Sequence, residues 1–163
     1  DAVVTGVDFA GSMLGIAADR TKADSVQWIQ GDALRLPFPD DWFAAVTIGY
    51  GLRNLDDLTK GLLEIRRILQ PGGVLVSLDV GKVRLPLIDV LNRFYFFTVV
   101  PKIGEWLIPD QEMFTYLPQS SLKYPDQETL KRKLLEVGFQ QADYYDFVFG
   151  ASTVHVAYKT SAP

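Results

Sequence analysis

The 163-residue chain contains no cysteine and one histidine, His155. The first absence removes disulfides, thiolate nucleophiles and zinc–thiolate sites together. The second removes any multi-histidine metal centre. An excess of charge is lacking too, because 16 Lys+Arg stand against 20 Asp+Glu for a formal net charge of −4. The cations are scattered rather than gathered, so no electrostatic footprint for nucleic acid is expected. The longest strongly apolar run, Phe94–Pro101, is well short of the ~18–20 residues of a membrane span. DAVVTGVDF enters an apolar strand without a basic leader, so no targeting peptide is expected.

Hydrophobic residues make up 48% of the chain, too many for disorder, and the length suits one domain with a real core. Ala2–Asp8 is a β-branched apolar run ending in an acid, as a buried parallel strand reads. Gly11–Arg20 follows as a helix with Met13, Leu14, Ala17 and Ala18 at helical spacing. Val26–Gln30 and Ala45–Ile48 are the second and third strands. Beyond Asp56, placed as an N-cap, Leu58, Leu62, Ile65 and Leu69 repeat on one helical face until Pro71-Gly72-Gly73 stops it. Val74–Asp79 is the fourth strand. Strands alternating with helices predict an α/β fold with a parallel sheet and right-handed crossovers.

Residues 83–124 break this pattern. Phe94, Tyr95, Phe96, Phe97, Trp106, Phe114, Tyr116 and Tyr124 lie between Pro86, Pro101, Pro109 and Pro118 without a clean period. They read as a helical insertion covering an apolar ligand crevice, or alternatively as a second layer of core. Order returns at Asp126, an expected N-cap for a helix bearing Leu130, Leu134 and Val137 and stopped at Gly138. Ala142–Val148 and Ser152–Tyr158 then form an antiparallel pair at the sheet edge, since Phe149-Gly150-Ala151 is too short for a crossover. No internal repeat or low-complexity tract is present.

The chemistry-bearing residues gather where strands end, the place where open α/β sheets bind ligands. Asp8 closes the first strand, and a carboxylate there accepts both ribose hydroxyls of a nucleoside; capping the next helix is the alternative. Asp32, after Gly31, is suited to an exocyclic adenine amine while the Ala33 N–H meets a ring nitrogen. Gly49, Gly51, Arg53 and Asn54 follow the third strand, small residues for close approach and then polar groups for a substrate. Gly49-Tyr50-Gly51 is not a dinucleotide fingerprint, because the third glycine would fall at Asn54, and the P-loop pattern is absent.

Taken together, VTGVDFAGSML, GDALRLPFPDDWFAAVTIGYGLRN (residues 31–54) and LQPGGVLVSLD resemble class I S-adenosylmethionine-dependent methyltransferases. More narrowly, GYGLRN, WLIPDQEMFTYLPQSSLKYPDQETL and YYDFVFGASTVHVAYK resemble the quinone-biosynthesis C-methyltransferases. DVGKVRLP and NRFYFFTVVPKIGEW are most similar to the cyanobacterial phylloquinone branch. The resemblance implies a Rossmann-like sheet flanked by helices, mostly parallel with an antiparallel C-terminal strand. Family members begin with a strand and a D-x-x-x-G-x-G loop, so an N-terminally truncated domain, short by on the order of 30 residues, is expected.

The implied activity is S-adenosyl-L-methionine-dependent C-methylation of a prenylated naphthoquinol, demethylphylloquinol or demethylmenaquinol. In that role Asp8, Asp32, Ala33 and Gly49 would hold the cofactor. Arg53 would stabilise the developing phenolate and Asn54 would orient that oxygen or a bridging water, unless Arg53 pairs with Asp56 or Asp57. Asp79 and Lys82 are weaker site candidates, and His155 reads as a strand residue rather than a base. A lipid acceptor implies a cytoplasmic protein touching a membrane surface, and a homodimer stays open. The alternatives are a non-catalytic lipid- or quinone-binding module, a ubiquinone-precursor methyltransferase, and a nicotinamide-dependent oxidoreductase using Asp8 for its ribose.

Overall fold

A computed structural model describes residues 3–21, 26–86, 88, 90, 94–99, 102 and 120–161. Strand β1 (Val4–Asp8) pairs in parallel with β2 (Val26–Gln30), Val4 opposite Val26 and Asp8 opposite Gln30, and helix α1 (Gly11–Arg20) lies between them in sequence. Parallel neighbours need such a crossover. A second sheet runs in the order β3 (Phe43–Gly49), β4 (Leu69–Val80), β6 (Ser152–Lys159), β5 (Phe139–Phe147). Helix α2 (Leu58–Ile68) connects the parallel pair β3 and β4, and β6 runs antiparallel to both its neighbours.

The α/β expectation holds, with three local corrections. The closing hairpin is not wholly an edge, because β6 lies inside the sheet and only β5 borders it, so His155 is interior. The cap of α2 is Asp57, which accepts from Lys60 N at 3.0 Å, and not Asp56. That helix ends at Ile68, before Pro71-Gly72-Gly73, because Leu69 is already extended and paired with Phe43. The proline and glycines instead form a bulge within β4, where the register jumps to Ala45 opposite Val74. The cap at Asp126 is as expected: it opens α3 (Gln127–Glu136) by accepting from Thr129 N at 2.8 Å. Gly138 stops that helix with φ +98°, a conformation side chains resist.

Among the described residues, no ladder joins β1 to β3. The two sheets are tied through the segment after β2, which runs over α2. Arg67 is the clamp. Its guanidinium grips Glu64 and Asp40 and donates to the carbonyls of Leu36 and Phe38 at 3.1 and 2.8 Å. Glu64 also accepts from Leu36 N at 3.0 Å, and Arg67 holds the Glu64 carboxyl below its usual range.

The core sits between the four-stranded sheet and helices α2 and α3, with Leu62, Leu69, Leu75, Leu130 and Ala157 fully enclosed. Much of the aromatic stretch of residues 83–124, including Trp106, Phe114 and Tyr116, lies outside the described residues. Of the rest, Phe94 and Tyr95 are exposed and Tyr124 is buried in the core cluster. No described helix is long and apolar enough to cross a membrane.

Candidate active site

Directly opposed residues share a face, so the register arranges one face of the large sheet in rows. Leu75, Ala157 and Ala142 form the first row, Ser77, His155 and Tyr144 the second, and Asp79, Thr153 and Asp146 the third. The face therefore turns from apolar to polar toward the C-terminal end of β4, where a ligand crevice is expected. Ser77, Asp79, Thr153 and His155 are all buried, a cost that Asp79, Thr153 and His155 offset with hydrogen bonds.

Arg53 answers Asp79. It lies in the 3₁₀ turn Leu52–Asn54 that follows β3, and its Nη1 reaches Asp79 Oδ1 at 2.7 Å with side-chain exposures of 6% and 3%. The same carboxylate accepts from Arg53 N at 3.3 Å and Val80 N at 2.8 Å. The alternative of a surface pairing with Asp56 or Asp57 does not hold, because the partner is a buried acid from β4. Tyr50 carries the guanidinium over its ring at 5.1 Å and adopts φ 56°, held by Tyr50 N donating to Leu78 O at 2.7 Å. Asn54 Nδ2 donates to Tyr50 O at 3.3 Å, so its amide braces this strained turn.

Of the buried atoms around the ion pair, Arg53 Nε has no hydrogen-bond partner among the described residues, while the Ser77 and Tyr124 hydroxyls have each other as neighbours and no further partner there. Tyr124 feels both members of the pair, and its burial pushes the phenol well up, so it stays a neutral hydroxyl. An unmet buried donor such as Arg53 Nε costs about 1–3 kcal/mol.

Gln127, at the start of α3 and 2% exposed, binds the far side of this face together. Its Nε2 lies within hydrogen-bond distance of Lys82 O, Asp146 Oδ1 and Gly150 O, and its Oε1 accepts from Lys82 N at 3.1 Å. Its carbonyl accepts from His155 Nε2 at 2.9 Å, and burial pushes His155 below its ordinary range. His155 is therefore a neutral core donor, and Lys82 spends its ammonium on Ser121 O at 2.6 Å. Gly81 is required here, because a Cβ would sit 2.2 Å from Gly150 O and 2.9 Å from Gln127 Nε2. Gln127 was missed as a site residue. Its signal is in the sequence, since Gln127, Leu130 and Leu134 share one helical stripe and a glutamine on that stripe must be bonded.

Asp8 and Asp32 come together at the end of the smaller sheet, where Gly31 N donates to Asp8 O at 3.0 Å. Both are exposed. Each Oδ1 accepts the main-chain N–H two residues on, Ala10 N and Leu34 N respectively, both at 2.8 Å. The helix-cap alternative for Asp8 does not hold, since Ala10 occupies the cap position of α1. Ala33 is half-buried in the turn that Arg35 N closes on Asp32 O at 2.9 Å. Gly49 ends β3 facing open space, where an added Cβ would meet nothing within 4 Å. Acids and arginine thus sit at strand ends of two different sheets.

This arrangement of strands and strand-end residues agrees with the match of residues 1–159 to the ubiE/COQ5 methyltransferase family. The chain belongs to that family. It is 49% identical over 164 residues to a protein of Leptospira interrogans named demethylmenaquinone methyltransferase, covering 97% of this chain and 66% of that protein. The chain therefore spans just under two thirds of that relative's length. Its fold is similar to that of a SAM-dependent methyltransferase from Thermotoga maritima, with TM-score 0.69 and 21% identity over 96% of this chain and 73% of the other. It is similar also to phosphoethanolamine N-methyltransferase 2 of Haemonchus contortus in complex with S-adenosyl-L-methionine, with TM-score 0.68 and 17% identity over 98% of this chain and 44% of the other. At these identities the two structures speak for the Rossmann-like methyltransferase fold alone.

Proposed function

We propose that this chain carries the site of an S-adenosyl-L-methionine-dependent C-methyltransferase acting on a prenylated naphthoquinol. The observation that carries the reading is the pair Asp8 and Asp32, two exposed carboxylates at adjacent strand ends, each fixed by one main-chain N–H. The donor set fits the cofactor: Asp8 would accept from the ribose hydroxyls, Asp32 from the adenine amine, and Ala33 N would meet the ring. Gly49 leaves room for the amino-acid end. When bound, the cofactor supplies an electrophilic methyl group.

The acceptor side rests on Arg53. Asp79 offsets its charge and fixes its plane, so Arg53 acts through a directed N–H, with Nε the atom lacking a partner among the described residues. That donor, with the neutral Tyr124 hydroxyl, would hold the acceptor's ring oxygen as its proton passes to water, which makes the neighbouring carbon nucleophilic. Asn54 serves the same end by holding the Tyr50 turn on which Arg53 rests. Binding both reactants in register would supply the remaining acceleration. The name of the Leptospira relative supports a demethylated menaquinol as acceptor.

The test is transfer of a radiolabelled methyl group to a demethylated naphthoquinol by the full chain. Arg53→Ala should lower turnover by about a hundredfold with little change in cofactor affinity. Asp8→Ala should weaken cofactor binding about tenfold in calorimetry. Absence of transfer, or full turnover by Arg53→Ala, overturns the reading.

A further inference from the structure

The connection between β5 and β6 breaks the ordinary rules for a hairpin tip. Val148 and Phe149 take φ 49° and 58°, consecutive left-handed positions that favour Asn and Gly and that β-branched residues avoid. Ala151 N closes the turn on Val148 O at 3.1 Å, and Gly150 follows at φ 92°. The strained residues do not fill a core. Phe147, Val148 and Phe149 are 53%, 73% and 65% exposed, three adjacent apolar side chains in water. A tip that is both strained and apolar is explained by an apolar medium around it, not by any contact among the described residues.

Two further observations say which medium. Residues 147–152 carry no charge, while at the hairpin's base the Arg84 guanidinium, 57% exposed, lies over the Tyr144 ring and pairs with Asp146 at 3.8 Å. An uncharged apolar tip with an exposed ion pair behind it matches the layering of a bilayer interface, acyl chains and then polar headgroups. The tip also lies at the site's end of the sheet. Phe147 pairs with Ser152, one step beyond the row of Asp79, Thr153 and Asp146, and Gly81 N donates to Ala151 O at 3.0 Å.

We propose that the Phe147-Val148-Phe149 tip is a membrane anchor that inserts below the headgroups of a bilayer, with the Arg84–Asp146 pair at headgroup level. It rests on the proposed function in one respect, that a prenylated acceptor resides in such a bilayer. The anchor brings the polar end of the sheet to the surface where that acceptor's ring lies.

The decisive variant replaces the tip by the residues its backbone favours. Val148→Asn with Phe149→Gly should keep or raise the melting temperature, yet lower co-sedimentation with phosphatidylcholine–phosphatidylglycerol vesicles about tenfold or more. Phe149→Trp should bind as the unaltered chain does, with emission shifting to the blue on adding vesicles. Methyl transfer to a tail-less naphthoquinol in solution should be unchanged in the double variant, while transfer to a tailed acceptor in vesicles falls. If the unaltered chain methylates neither acceptor, the proposed function fails and the vesicle result still decides the anchor. Vesicle binding unchanged in the double variant overturns the anchor. So does emission from the Phe149→Trp variant that is already blue without lipid in a concentration-dependent dimer, which would make the tip a self-association surface.

Discussion

The β1–α1–β2 unit and the four-stranded body are built from similar elements, yet among the described residues only the body encloses a core. No residue of β1, α1 or β2 is buried, and Met13, Ile16 and Val4 stand 58%, 47% and 52% exposed. In the body, alternate residues of β4 and β6 are buried, and α2 and α3 press Leu62 and Leu130 into the sheet. Each region carries half of the proposed site: the cofactor acids are on the first and the Arg53–Asp79 pair on the second. A ladder can hold strand-end carboxylates in place with little burial, whereas a buried guanidinium needs a core around it.

The largest effect expected from this contrast is at Asp79. Asp79→Ala leaves the Arg53 charge buried and alone, and should lower unfolding free energy by about 3–5 kcal/mol in urea denaturation. Next is a matched pair of truncations. Leu75→Ala in the body should cost about 2–5 kcal/mol, while Met13→Ala on α1 should stay within about 0.5 kcal/mol. Equal costs would break the comparison, because both regions would then have a core. Gly6→Ala probes a tight contact of the small unit: its Cβ would fall 2.2 Å from the Trp28 ring, so a loss of about 1–3 kcal/mol is expected. Hydrogen exchange sharpens the same point without mutation, with β1 and β2 amides exchanging far faster than those of β4 and β6.

The smallest effect is a pH dependence belonging to the body alone. Burial lowers the folded-state pKa of His155 below 6.5, with the Gln127 carbonyl and then Asp146 and Asp79 opposing the shift. The unfolded chain then binds the extra proton first, so this contribution is complete above 6.5 and is lost as pH falls through and below it. His155→Gln should flatten that part of the urea-midpoint profile. The lowered carboxyls of Glu64, Asp126 and Asp143 add their own loss further down, in the acid range.

Legibility followed locality. Strand β2 and helix α1 fall where expected because their patterns are complete within a few residues. The cap at Asp126 is read as easily, from one side chain and the N–H three residues on. The partner of Arg53 is 26 residues away in sequence, and Gln127 meets Lys82 across 45, so neither bond has a local signature. Pro71-Gly72-Gly73 misleads for the same reason, since pairing between Phe43 and Leu69 ends the helix before the local breakers act.

The order of residues alone determined the alternation of strands and helices, the strand-end positions of Asp8, Asp32 and Gly49, and the exclusion of thiol and histidine-cluster chemistry. Those properties depend on composition and on neighbours within one turn or pleat. Packing decided the rest: that β6 is interior, that Asp79 is the carboxylate that meets Arg53, and that apolar residues occupy a left-handed hairpin tip. These depend on free energies of burial and pairing between distant segments, which exist only once the chain has closed on itself.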